Sequence, residues 1–329
     1  MTRVFSGMQP SGDPHLGNLL GAVALWVAEA EQAESLFCVV DLHSITFPQD
    51  PTDLRRRTLE LTATFLAMGL DAERSILFLQ SQVAAHRELA WLLECTASYG
   101  ELQRMTQFKD KAARGEFVSA GLFTYPALMA ADILAYDADQ VPVGDDQRQH
   151  IELTRDLAMR FNARYGDTFV VPEGVYRTSG ARIMDLQHPE RKMSKSLDSP
   201  QGTVSLSDDD AAIARKIKRA VTDAETEVRY DPETKPGVSN LLSILAACTD
   251  TTPTAAAGGF SRYGDLKGAV AEAVVAFLGP VRSRYDELLG DPGHLLEVLA
   301  RGAARAEAIA EPIVRRAEDA MGFVPRAQT

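Results

Sequence analysis

Val4-Phe5-Ser6-Gly7-Met8-Gln9-Pro10-Ser11-Gly12-Asp13-Pro14-His15-Leu16-Gly17-Asn18-Leu19-Leu20 begins as a short apolar run, turns through proline and glycine, and resumes with leucines. Leu16, Leu19, Leu20, Val23 and Trp26 then recur at helical spacing, so the stretch reads as strand, turn and helix. Residues 36–40 are continuously apolar and end at Asp41, as expected of a strand covered on both faces of a parallel sheet. Outward from there, residues 51–70 read as helix, 75–79 as strand, 90–99 and 127–135 as helix, and 140–143 as strand. Gly144 then opens a helix over about 146–162. This alternation predicts an α/β fold built on a doubly wound parallel sheet. Such sheets bind ligands at the carboxyl ends of their strands, which selects the loops at 9–18, 41–46 and 144–147. Beyond Lys195 the texture changes. Residues 211–221, 240–247, 269–278 and 295–321 are all helical in pattern, and 249–259 reads as a small, polar loop. We therefore expect a catalytic domain over 1–190, and over 191–329 a Lys/Ser loop followed by an all-helical C-terminal domain.

A chain of 329 residues is long enough for one large domain with a smaller partner. Its 45% hydrophobic and 24% charged content is that of a globular protein, neither fibrous nor disordered. The longest apolar runs fall short of the roughly 18 residues that cross a bilayer. Gly7, Pro10 and Gly12 interrupt the start, which does not read as a signal peptide. The expectation is a cytoplasmic protein without membrane contact. Cys38, Cys95 and Cys248 lie far apart with no metal-binding spacing, so neither structural zinc nor a disulfide framework is expected. A net charge of -12 argues against coating nucleic acid non-specifically. Arg55-Arg56-Arg57, the basic run at 216–219 and Arg315-Arg316 read as solvated helix faces or local patches.

Two loops carry candidate chemistry. The glycines of the first let backbone approach a phosphate or a base, and the N–H groups opening its helix favour an anion. Gly12 and Gly17 have the spacing of a phosphate loop. Asn18 and Leu19, however, stand where that loop needs Lys and Ser/Thr, which excludes that class of nucleotide hydrolase. His15 reads either as a ligand-facing group or as a turn histidine capping its neighbours. The second loop, Lys192-Met193-Ser194-Lys195-Ser196, sets two ammonium groups three residues apart, suited to a phosphate chain, or else forms a charged surface loop. Met193 would anchor it by burial, and small serines would let it move. On the helix predicted near 127–135, Tyr125, Met129 and Asp132 share one face. A carboxylate there needs a donor, either from the protein or from a ligand. Gly144-Asp145-Asp146-Gln147 is a helix cap or a ligand-binding loop.

These loops, with Gly100-Glu101-Leu102-Gln103-Arg104-Met105-Thr106-Gln107-Phe108-Lys109, the stretch at 124–134, Gly180-Ala181-Arg182-Ile183-Met184 and Lys235-Pro236-Gly237-Val238-Ser239-Asn240, give the chain its likeness. Over nearly its whole length it resembles bacterial tryptophanyl-tRNA synthetases, which are class I aminoacyl-tRNA synthetases with a Rossmann-like catalytic domain. The first motif departs from the class pattern in ending at Asn18, where many members have His.

The resemblance implies ATP-dependent activation of L-tryptophan to its adenylate, release of pyrophosphate, and transfer to tRNA(Trp). It implies ATP contacts from Gln9, Pro10, Ser11, His15, Gly17, Asn18, Gly144, Asp145, Asp146 and Ile183, and from Lys192, Met193, Ser194, Lys195 and Ser196. Lys111, Lys192 and Lys195 would act on the departing pyrophosphate, with Mg2+ carried by ATP and no structural metal in the protein. Tryptophan would lie among Phe5, His43, Tyr125, Met129, Asp132, Val143 and Gln147, with Asp132 accepting the indole N–H. On that basis phenylalanine would leave Asp132 unpaired, a situation that can discriminate by about 10⁴ to 10⁵. The implied assembly is a homodimer. A tyrosyl enzyme of the same class, a nucleotidyltransferase and a catalytically silent binding module remain the alternatives.

Overall fold

The computed structural model describes residues 2–30, 32–112, 117–176, 182–193 and 199–325. At its centre is a parallel five-stranded sheet: β1 (Arg3–Met8), β2 (Glu34–Val39), β3 (Ile76–Leu79), β4 (Gln140–Val143) and β5 (Glu173–Tyr176). The spatial order is β3-β2-β1-β4-β5. β2 is apolar from Leu36 to Val39 because its two faces lie in two different apolar clusters, Leu36 and Cys38 on one side and Phe37 and Val39 on the other. Phe5 lies beside Leu36 and Cys38 beside Phe78, which fixes β1, β2 and β3 in register. Growth of the sheet reverses direction at β1. β1 and β4 pair at Val4 and Gln140. A crevice therefore opens between their carboxyl ends, where doubly wound sheets take ligands. β5 escaped the sequence reading because Glu-Gly-Val-Tyr is short and has no continuous apolar run.

The helices around the crevice are fixed by their caps. Asp50 accepts the Thr52 and Asp53 amides at 2.9 and 3.0 Å and starts Pro51–Ala67, with proline at the first helical position. Ser119 accepts the Leu122 amide at 3.0 Å to start Ala120–Leu134, and its hydroxyl donates to the Thr46 carbonyl at 2.7 Å. The helix bearing Asp132 is thereby tied to the turn that follows His43.

The remainder is helical, as Asp210–Lys218, Pro236–Cys248, Tyr263–Leu289 and Pro292–Ala320. The segment expected to be a loop at 249–259 contains a short helix, Pro253–Ala257, capped by the Thr252 hydroxyl. Ile183, Met193, Val238, Leu241, Val270 and Val274 share one apolar cluster with Leu16, Leu19 and Leu20, so the first loop sits where sheet and helical parts join. Pro292–Ala320 packs differently. Ala306, Ala310, Ile313 and Val314 belong to the core of the sheet. Any side chain at Gly302 would overlap the Leu77 carbonyl oxygen, so glycine is required for the helix to cover edge strand β3. Arg305 also donates to the Ala72 and Ser75 carbonyls at 2.9 Å.

Candidate active site

A cavity of about 280 Å3 occupies the crevice between β1 and β4. Phe5, His43, Tyr125, Met129, Asp132, Val143 and Gln147, all predicted to meet the amino acid, line it together, and Gln9 lies on its wall. The helical spacing of Tyr125, Met129 and Asp132 is what turns all three inward.

Asp132 is 1% exposed, and the protein itself supplies donors to it. Oδ1 accepts from Gln80 Nε2 at 2.6 Å and from His86 Nδ1 at 2.7 Å, while Oδ2 meets His43 Nε2 at 2.7 Å. A carboxylate only accepts, so both rings direct a proton toward it. His86 Nε2 in turn meets the Tyr136 hydroxyl at 2.8 Å, and the Tyr136 ring stacks on Phe5 at 5.7 Å. Gln80 is also held at its other end, where Oε1 accepts the Leu42 amide at 3.0 Å. Burial pushes the Asp132 carboxyl up, but the His43 charge and the hydrogen bonds from His43 and His86 outweigh it and hold it below the usual range. Of roughly four acceptor positions on the carboxylate, three are filled; the fourth, on Oδ2, can take one further donor.

Tyr125 presents a second polar group. Its hydroxyl is 2.7 Å from His150 Nε2 and 3.4 Å from Gln107 Oε1, and burial pushes the phenol well up, so it stays protonated. Gln80, His86, Tyr136, Gln107 and His150 were all missed in the sequence. His86 and His150 sit on apolar helix faces, where a lone histidine reads as packing. No local pattern joins 80, 86, 132 and 136.

The nucleotide side is built otherwise. Leu16 donates to Val204 and Leu206 to Pro14, both at 2.9 Å, which stitches the first loop to residues 204–206. His15 is buried and caps the helix start with its carbonyl, accepting the Asn18 and Leu19 amides at 2.9 and 3.1 Å. A Cβ on Gly17 would lie 3.1 Å from His15 Nδ1 and 3.2 Å from Met193 Cβ, so the two loops touch across a glycine. Met193 is 1% exposed, and its amide donates to the Ile183 carbonyl at 3.0 Å. Ile183, expected to line the nucleotide site, is also 1% exposed and places its side chain in the apolar cluster. Pro10 is likewise buried, whereas Gln9, Ser11, Gly144, Asp145, Asp146 and Lys192 are exposed and Asn18 is half-buried. The Gly144 carbonyl accepts the Gln147 amide at 2.9 Å, and Asp146 Oδ2 accepts Gln147 Nε2 at 2.8 Å. Lys111 lies on Thr106–Ala112. Ser194, Lys195 and Ser196 lie outside the described residues.

Residues 1–279 match the family of class I tRNA synthetases for tryptophan and tyrosine. The chain is 53% identical to a tryptophan–tRNA ligase of Mycobacterium leprae, with 99% of this chain and 97% of that protein covered. The chain belongs to the tryptophanyl-tRNA synthetase family. A second relative, the tryptophan–tRNA ligase of Caldanaerobacter subterraneus, is 51% identical and covered in full. Among solved structures it is similar to tryptophanyl-tRNA synthetase of Mycoplasma pneumoniae, with TM-score 0.90 and 37% identity over 98% of each chain. The Campylobacter jejuni tryptophanyl-tRNA synthetase, solved with ADP and tryptophan, gives TM-score 0.85 and 34% identity over 98% of this chain and all of that one.

For a synthetase of this family the filled carboxylate changes the account of selectivity. Phenylalanine in the cavity would leave one acceptor position of Asp132 unfilled, not a bare buried charge. A ligand N–H at that position would contribute about 1.5 to 3 kcal/mol, the value of one hydrogen bond to a charged group, less than the discrimination of about 10⁴ to 10⁵ expected if phenylalanine left the carboxylate with no partner at all.

Proposed function

We propose that this synthetase activates L-tryptophan with ATP and transfers it to tRNA(Trp). The carrying observation is the single remaining acceptor of Asp132 at an apolar cavity, which suits one N–H on an otherwise apolar ring. Asp132 accepts the indole N–H between Phe5, Met129 and Val143, Tyr125 and Gln147 face the α-amino and carboxylate groups, and His43, bonded to Asp132, lies close by. The tryptophan carboxylate attacks the α-phosphorus of ATP, forming the acyl phosphate bond and expelling pyrophosphate. The terminal ribose hydroxyl of the tRNA then takes the acyl group and AMP leaves. Positioning and charge stabilisation dominate such chemistry.

Gln9, Ser11, Gly17, Asn18, Gly144 and Asp146 border the nucleotide, with His15 and Met193 as its buried supports. Lys111, Lys192 and Lys195 draw off charge from the pyrophosphate, whose Mg2+ arrives with the substrate. Among the described residues no cluster of His, Cys, Asp and Glu side chains gathers to hold a metal of the protein's own. The helical part, 191–329, contacts tRNA, and its last helix returns to brace the sheet. The enzyme works as a homodimer in the cytoplasm; no described helix is long and apolar enough to cross a membrane.

The test is exchange of labelled pyrophosphate into ATP, run separately with tryptophan, tyrosine and phenylalanine. Tryptophan is expected to drive exchange. A response to tyrosine alone would overturn the assignment, and light scattering at a monomer mass would overturn the dimer.

A further inference from the structure

Lys235-Pro236-Gly237-Val238-Ser239-Asn240 has no task in the site just described, yet its last residue reaches one of the catalytic loops. Ile183 to Met193 form a short antiparallel hairpin: Met193 donates to Ile183 at 3.0 Å and Asp185 to Arg191 at 2.9 Å, with Met184 opposite Lys192. The turn is closed by Asp185 Oδ1, which accepts the Gln187 and His188 amides at 2.8 and 2.9 Å. One edge of such a hairpin needs a partner for its backbone. Asn240 supplies it with a side chain. Its Oδ1 accepts the Met184 amide at 2.8 Å and its Nδ2 donates to the Met184 carbonyl at 2.9 Å, the pairing that another strand would give.

Asn240 is itself 4% exposed and stands one turn into Pro236–Cys248, whose start is fixed from two sides. Any side chain at Gly237 would overlap the Val221 carbonyl oxygen. Lys235, 1% exposed, is held by Glu225 at 2.6 Å, the Tyr263 hydroxyl at 3.0 Å and Asp223 at 3.1 Å. The amide is thus presented from a rigid point, and Lys192 stands on the strand facing Met184, its side chain exposed.

We propose that Asn240 is a positioning residue for the adenylation step, fixing through Met184 the hairpin that places the Lys192 ammonium against the nucleotide. This rests on the role given to Lys192 above. It also makes the helical part a participant in activation before tRNA binds, since the clamp comes from that part.

The experiment compares Asn240→Ala, Asn240→Asp, Lys192→Ala and the double variant Lys192→Ala/Asn240→Ala in pyrophosphate exchange, with tryptophan binding followed by equilibrium dialysis. Asn240→Asp keeps the acceptor for the Met184 amide but sets an oxygen against the Met184 carbonyl at unchanged volume. Both single Asn240 variants are expected to lose roughly 10- to 100-fold in kcat, the effect of displacing a catalytic group by about an ångström. Tryptophan affinity should stay within about twofold, which also shows that the variants are folded. In the Lys192→Ala background, Asn240→Ala should cost no more than about twofold, because both changes act through one group. Unchanged kcat with a lowered melting temperature would reduce Asn240 to a structural bond and overturn the proposal, as would an equal loss in both backgrounds. If Lys192→Ala itself exchanged at the parent rate, the role of that lysine would fall and the Asn240 proposal with it; a normal Lys192→Ala loss beside intact Asn240 variants would remove only the latter.

Discussion

The amino-acid cavity and the nucleotide side, neighbours across the ends of β1 and β4, are held in opposite ways. In the cavity the recognising groups are buried and already bonded to one another: Asp132 to His43, His86 and Gln80, Tyr125 to His150. On the nucleotide side the charged groups Asp145, Asp146 and Lys192 are exposed, and what is buried is the support behind them, His15, Gly17, Ile183 and Met193. An uncharged ring offers one N–H, so its recognition needs a desolvated acceptor whose direction is set in advance. A polyphosphate carries its own charge, so it needs cations free to follow it, attached to a firm base. The two halves should therefore fail differently: damage to the cavity should appear in tryptophan parameters, and damage to the nucleotide side in kcat and ATP parameters.

Asp132 should give the largest effect. Asp132→Ala removes the indole acceptor, about 10- to 100-fold, and frees the His43, His86 and Gln80 donors that set the cavity wall, about a further 10²-fold through misplaced substrate, so kcat/KM for tryptophan should fall by roughly 10³ or more. The KM for ATP should not move. Asp132→Asn, with one acceptor oxygen and an NH2 set against donors, should narrow the discrimination against phenylalanine. Unchanged discrimination in exchange assays would remove the indole contact. Because the carboxyl is held below its usual range, its contribution to stability is complete above the unfolded pKa of about 4 and is lost only as pH falls through the lower folded value, and the folded site keeps its charged acceptor over the same range. A parent enzyme whose tryptophan KM tracked an acid group titrating well above pH 4 would contradict that sign.

Next is Lys195→Ala. Loss of one donor to a developing charge should lower the activation rate by roughly 10² to 10³ with tryptophan binding nearly intact. If single-turnover rates survived while tryptophan binding collapsed, the separation between the two halves would be gone.

His86→Ala and Tyr136→Phe probe the cavity at one and two steps from the substrate. Removing the His86 bond should raise the tryptophan KM by roughly tenfold, about 1 to 2 kcal/mol for a buried bond to a charged acceptor. Tyr136→Phe should cost less, since it only releases the ring that orients the carboxylate. Equal shifts in the tryptophan and ATP KM would show that these changes loosen the fold as a whole.

Much of this was legible in the chain and the limits are physical. β1 to β4 stand out because strands covered on both faces must be apolar, and the inward face of Ala120–Leu134 follows from helical spacing alone. β5 does not stand out, because Glu-Gly-Val-Tyr has no continuous apolar run, whereas β3, an edge strand of the same length, reads Ile-Leu-Phe-Leu because the last helix covers it. Pro253–Ala257 hides in an Ala/Gly-rich stretch that differs from a loop only by its Thr252 cap. The second layer of the cavity is invisible for another reason. His86 and Gln80 are brought to Asp132 by the sheet, across 46 and 52 residues of chain. Burial of Met193 is legible, because an apolar side chain in a charged loop can only serve as its anchor, and Ile183 is buried beside it in the same apolar cluster.

The smallest effect on the kinetic parameters should come from the support of the nucleotide side at Glu101. This carboxylate belongs to a capping box, accepting the Ser98 amide at 2.9 Å while its own amide donates to Ser98 Oγ at 3.3 Å. It also pairs with Arg160, joining Tyr99–Arg104, which leads to Gln107 and Lys111, to Arg148–Tyr165, which follows the Gly144–Gln147 loop. The Arg160 hydrogen bonds, opposed by burial and aided by Ser98, bring its pKa down to about 2. A depressed folded pKa stabilises above the unfolded value near 4.5 and loses that contribution as pH falls toward about 2. After allowance for solvent screening, Glu101→Gln should cost about 1 to 2 kcal/mol at pH 7. In urea denaturation the gap from the parent should shrink steadily below about pH 4.5. Tryptophan binding should be untouched, and the KM for ATP should rise by no more than about threefold, because this pair supports the nucleotide side without facing its ligand. A gap that widened at low pH would reverse the sign assigned to Glu101, and a tryptophan KM that rose with it would mean that the two halves share their supports.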